Sequence, residues 1–146
     1  MRALRITPDT TVTELDLPET DAHSPIRDHI ATTGTVDQGV HHRRALLHIH
    51  SNGRAMGLAQ NIAAWALASD WRGMALHPVH GPVVVTGRTQ NGAVAALDDG
   101  LARHAHAVAQ TVRETLAEWR TRPPASNQVA LNELLAYAAW DVAPSS

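Results

Sequence analysis

Leu101, Ala105, Val108, Val112, Leu116 and Trp119 recur at steps of three and four residues, the spacing that puts side chains on one face of an α-helix. Arg103, Gln110, Arg113, Glu114 and Glu118 fall on the other faces. Asp98 and Asp99 stand where an N-cap and a first-turn acid oppose the positive end of the helix dipole. Pro123-Pro124 ends the run, because proline removes a donor and clashes with the preceding turn. The spacing predicts a helix over 98–121, about six turns long, whose apolar stripe packs on a sheet.

The strands of that sheet are read from period-two patterns and turn residues. Arg2–Ile6 and Val12–Leu17 flank Thr7-Pro8-Asp9-Thr10, which predicts an N-terminal β-hairpin with Leu4 and Ile6 facing the core beside Leu15 and Leu17. Ser24-Pro25 reads as a helix start and Gly34 as its left-handed stop, with Ile26 and Ile30 sharing a face. Val36 to His50 holds a strand, clearest over 45–50, in which Leu47 and Ile49 point one way and Leu46, His48 and His50 the other. Asn61 caps the helix-forming run Ile62–Ala68, with a stripe of Ile62, Trp65 and Ala66. The β-branched Val83–Thr86 run, the Asn91-Gly92 turn and Ala93–Leu97 predict a second hairpin over 83–97. Beyond the two prolines, Leu131, Leu134, Leu135 and Ala138 predict a short amphipathic helix over 127–140. The fold class is therefore α+β: a small, mostly antiparallel sheet packed by the long helix. Residues 1–122 form one domain, and 123–146 form a linker, the C-terminal helix and a disordered tail.

Composition narrows the function classes. All 12 basic residues are arginine, and the chain has no Lys, Phe or Cys. The absence of Lys and Phe together reads as a GC-rich genome, since both have A/T-rich codons. Without cysteine there is no disulfide scaffold, thiol nucleophile or thiolate metal site. A formal charge of −2 argues against a general nucleic-acid binder, which would carry a basic excess. Met1–Leu17 lacks the apolar core of a signal peptide, and Ile62–Ala68 is too short to span a bilayer, so the expected location is cytoplasmic with no membrane association.

No catalytic motif is present, so an enzyme is not the favoured expectation. The serines lie at caps and turns, outside any Gly-x-Ser-x-Gly elbow. Gly87–Gly92 follows a strand but opens no helix, so it reads as a hairpin loop and not a phosphate cradle. His48 and His50 leave one face of a strand and could offer two ligands to zinc or iron, with His41-His42 just upstream, but no acid is placed near either pair and no His-Glu-x-x-His occurs. The expectation is accordingly no cofactor and no metal, with a His-based metal-dependent enzyme as the alternative.

One segment stands out. Arg43, Arg44 and Arg54 cluster with His41, His42, His48 and His50, the only local basic concentration, which histidine protonation below about pH 6.5 would strengthen. It reads either as an anion-binding site, since arginine forks suit phosphate and carboxylate, or as an edge strand guarded by charge. The candidate ligand-binding residues are Arg43, Arg44, His48, His50, Arg54 and Asn61, although an N-cap accounts for Asn61 without any ligand. Trp71, Leu131, Leu135 and Trp140 are the candidate interface residues, lying in an expected loop or on the C-terminal helix.

The order "NGRAMGLAQNIAAWALAS", "GPVVVTGRTQNG", "LDDGL", after an opening "RALRITPDTTVTELDL", resembles a domain-of-unknown-function family, numbered thirty-eight forty-six, found in actinobacteria, their phages and plasmids. Asn61 and Ala64 match its "N-x-x-A" positions, and Gly81, Val83, Val85 and Gly87 its "G-x-V-x-V-x-G" strand, within roughly residues 1 to 102. Two features depart from the family: its double glycine after the first helix is reduced to Gly34, and acids of the "HIHSNG" region are replaced by histidines. The resemblance implies no activity. Its genomic setting implies an accessory protein of a mobile element or host, with counter-defence one such role. The favoured expectation is a non-enzymatic binding protein that engages a host protein or a small anionic, nucleotide-like ligand. A structural or regulatory homo-oligomer built on the C-terminal helix is a further alternative.

Overall fold

The computed structural model describes residues 1–30, 35–121, 129, 130 and 132. Strands β1 (Arg2–Ile6) and β2 (Val12–Asp16) form the N-terminal hairpin, with Leu4 opposite Glu14 and Ile6 opposite Val12. This register corrects the expected partners. Leu4 and Ile6 face one side of the sheet, while Leu15 lies opposite Ala3 and joins Leu17 on the other side. The five-residue loop Thr7–Thr11 sets that pairing, and strand alternation then separates the two leucine pairs.

Helix α1 (His23–Ile30) begins earlier than the Ser24 cap predicts. The Ala22 carbonyl accepts from the Ile26 amide, so Pro25 falls inside the first turn, where its missing N–H costs nothing. Ile26 and Ile30 are buried as expected, and Gly34 lies outside the described residues.

The segment 36–50 is two strands, not one: β3 (Val36–His42) and β4 (Ala45–His50), antiparallel, turning at Arg43-Arg44. Gly39 and a β-bulge weaken the alternation in β3, which hides it from pattern reading. β4 is no edge strand. It lies between β3 and β5 (Val83–Arg88), and the edge is β3. The sheet runs β2-β1-β5-β4-β3, every pair antiparallel, and the short β6 (Val94–Ala95) extends β5 beyond the end of β1.

Helices α2 (Ile62–Arg72) and α3 (Asp99–Trp119) enclose one face of the sheet. Leu4, Ile6, Leu47, Val83 and Val85 meet Trp65, Leu67, Ala105, Val108 and Val112 there. α2 has more than the narrow stripe expected: every residue from Ala63 to Ser69 is buried, because α3 covers the side that the sheet leaves open. α1 covers the opposite face, against Ala3, Leu17 and Val84. α3 carries its cap at Asp98, whose carboxylate accepts from the Gly100 and Leu101 amides, and its buried stripe matches the spacing in the sequence. Most of the helix expected over 127–140, including Leu131, Leu135 and Trp140, lies outside the described residues.

Candidate functional site

At the β3–β4 turn the exposed Arg43 and Arg44 meet a third arginine from the next strand. The Arg88 amide donates to the Arg44 carbonyl at 3.0 Å, and Arg88 Nη1 donates to the Arg43 carbonyl at 3.3 Å. Arg44 Nη1 lies 3.2 Å from Oδ2 of Asp98, so the turn is tied to the N-terminus of α3. Asp98 is held below the usual carboxylate range, first by the Leu101 and Gly100 amides and then by Arg44 and Arg103. One carboxylate thus sits among several guanidinium groups in a chain that is acidic overall.

Trp71, in the last turn of α2, borders this basic end. Its ring lies 5.4 Å from that of His42, tilted by 56°, and 6.4 Å from that of His104, nearly parallel. His104 is fixed in turn by Asp70, at 2.7 Å from Nε2 to Oδ2. Arg72 Nε donates to His41 Nδ1 at 3.2 Å. The Arg44 amide donates to His42 Nδ1 at 3.0 Å, which leaves the proton of the neutral ring on Nε2. Partial burial pushes the His42 pKa down, and Arg44 and Arg43 push it further. His41 is lowered by burial and by Arg72. Acid therefore strengthens the positive patch less readily than free histidines would: these two protonate below the usual range.

The segment 41–54 does not assemble as a single site. Six residues of β4 separate Arg44 from Ser51, and at about 3.3 Å per residue that puts Arg54 on the order of 20 Å from the arginine turn. His48 and His50 share a face as expected, but both are buried. His48 Nε2 pairs with Thr86 Oγ1 at 2.8 Å, and His50 Nδ1 accepts from the Asn52 amide at 2.9 Å. Among the described residues no three histidines or acids are grouped to hold a metal. Asn61 is a bracket: it is fully buried, its Oδ1 caps Ala64, and its Nδ2 donates to the Ile6 and Gly81 carbonyls. Those bonds leave its side chain no donor for a ligand.

Sequence reasoning placed His42 beside Arg43 and Arg44 but missed Arg88 and His104 as members of the arginine end. Nothing local marks them, since each arrives from a different element, and only the β4–β5 pairing and the α2–α3 packing bring them to Arg43 and Trp71.

No protein-family model, curated protein or solved structure matches the chain. Among the described residues no helix is long and apolar enough to cross a membrane.

Proposed function

We propose that this protein is a non-enzymatic binding module that docks an acidic surface of a partner protein on the end of the sheet formed by Arg43, Arg44, Arg88 and Trp71. The meeting of Trp71 and Arg44 at His42, 27 residues apart in sequence, supports this reading most directly. Tryptophan and arginine are the residue types most enriched at interface hot spots, where an aromatic anchor is ringed by polar contacts. A hairpin tip offers a projecting surface, which suits a protein partner better than a small ligand needing to be enclosed. In the setting that the family resemblance implies, the partner is a protein of the host cell.

Capture from an actinobacterial lysate tests this. The wild-type chain retains an acidic protein at low salt and releases it as salt screens the contact. Arg43→Glu with Arg44→Glu abolishes capture, Trp71→Ala weakens it by about 2 kcal/mol or more, and Arg54→Glu, at the other end of the strand, leaves it intact. Equal capture by all four proteins, each checked for an unchanged fold by circular dichroism, would sink the reading.

A further inference from the structure

Across the sheet from the helix pair, α1 and the β3–β4 hairpin border a cleft of about 290 Å³ that the reading above does not use. His23, Ser24, Ile26 and Arg27 of α1 form one wall, Thr35, Val36 and Gln38 the other, and His48 closes the cleft between them. The register explains the grouping: Gln38 lies directly opposite His48 on the neighbouring strand, so both side chains leave the face that α1 covers.

Three features point to a ligand. First, His48 is 1 % exposed, yet it makes only one hydrogen bond, from Nε2 to Thr86, and Nδ1 has no partner among the described residues. Nδ1 is not fully buried: it opens on the cleft that His48 lines, where a molecule in the cleft can reach it. Second, Arg27 borders the cleft with no ion pair among the described residues, and no lining residue is acidic. Third, the buried Ile26 and the partly buried Val36 give the same space an apolar side. The volume equals that of about ten waters at ~30 Å³ each, at the lower end of ligand-site sizes. The occupant is therefore small.

We propose that this cleft binds a small organic acid, its anionic group against the Arg27 guanidinium, its apolar body against Ile26 and Val36, and a further polar atom on Nδ1 of His48. Arg27 supplies the forked donors that a carboxylate takes. His48, neutral in its buried setting, supplies a single donor or acceptor at Nδ1, while the Thr86 hydroxyl, able to donate or accept, pairs with Nε2 and holds the ring in place. This proposal stands apart from the arginine end, which lies at the β3–β4 turn and shares none of these residues.

4-Hydroxybenzoate, with 4-hydroxybenzamide as its uncharged counterpart, is the probe. Titrated into the full chain, the acid should shift the His48 imidazole resonances saturably, with Kd in the millimolar range typical of so small a ligand, while the amide shifts them at least ten-fold less. Arg27→Gln, an exposed substitution, should weaken the acid at least ten-fold. Ser24→Trp, which keeps both Arg27 and His48 but fills the space between them, should abolish the response. Melting temperatures confirm that both variants fold. No saturable shift at His48, an equal response to acid and amide, or undiminished binding by Arg27→Gln overturns the proposal.

Discussion

His48 Nε2 and Thr86 Oγ1 lie 2.8 Å apart in the sheet, on adjacent strands β4 and β5, with both residues buried. Burial, and secondarily the charge of His23, takes the His48 pKa down to about 4. The unfolded chain binds this proton near pH 6.5 and the folded chain does not, so the folded state has its full stability above pH 6.5 and loses it as pH falls from there to 4. At 1.36 kcal/mol per pKa unit the loss from His48 is about 3 kcal/mol at most. Urea unfolding at pH 7, 5.5 and 4.5 measures it. His48→Gln should flatten the slope over this window, and a wild-type curve with no decline across it would contradict the assignment.

Asn61→Ala removes a helix cap and two buried donors together. At about 1 kcal/mol for each of three buried bonds, a loss of about 3 kcal/mol is expected. Asn61→Asp keeps the acceptor for Ala64 but not the donors to Ile6 and Gly81, so its stability should not exceed that of wild type. Denaturant midpoints rank the three proteins. A neutral Asn61→Ala would mean that the bracket between the β1 end, the α2 start and Gly81 carries no weight.

Gly87 answers to a close backbone approach. A β-carbon there would collide with the carbonyl oxygen of Ala96, one residue past β6, whose Ala95 lies opposite Gly87. Because the obstacle is main chain, the Gly87→Ala penalty should reach the upper part of the ~1–3 kcal/mol range of overpacking. Amide exchange should show it locally, as faster exchange at Thr89 and Leu97, whose amides bond to the Ala93 and Arg2 carbonyls. Unchanged protection at both would refute the steric account.

Arg113 on α3 clamps the first hairpin loop. Its Nη2 donates to the Thr10 carbonyl at 2.7 Å, and its Nε to Thr10 Oγ1 at 3.3 Å. Thr10 has φ of +69°, a conformation that β-branched residues rarely adopt. Arg113→Ala should cost about 1–2 kcal/mol. Thr10→Gly in that background, which removes the β-branch that the conformation disfavours, should recover part of it in thermal melts.

Much of the fold was legible because local chemistry agreed with the final packing. Asp98 and the stripe from Leu101 to Val112 announced α3, Asn61 announced α2, and Asn91-Gly92 announced the turn beside β5, with Gly92 at φ of +86°. β3 was hidden, since Gly39 and a bulge interrupt its alternation and its exposed face is polar. The pairing of Leu15 with Ala3 instead of Leu4 was also hidden, because one residue of loop length decides which face every later side chain takes.

The candidate sites divide along the same line. The arginines and histidines of 41–54 were visible as a concentration along the chain, but a concentration along a strand is not one in space. The same six residues of β4 that place Arg44 beside Arg88 carry Arg54 to the far end and bury His48 beneath α1. By itself the sequence determined most of the elements and the buried stripe of α3, because helix and strand periodicity, caps and turns act within a few residues. The tertiary structure alone decided which charges meet. Strand order, register and helix packing join residues such as Trp71 and Arg44, or Arg27 and His48, by contacts between elements that no local spacing encodes.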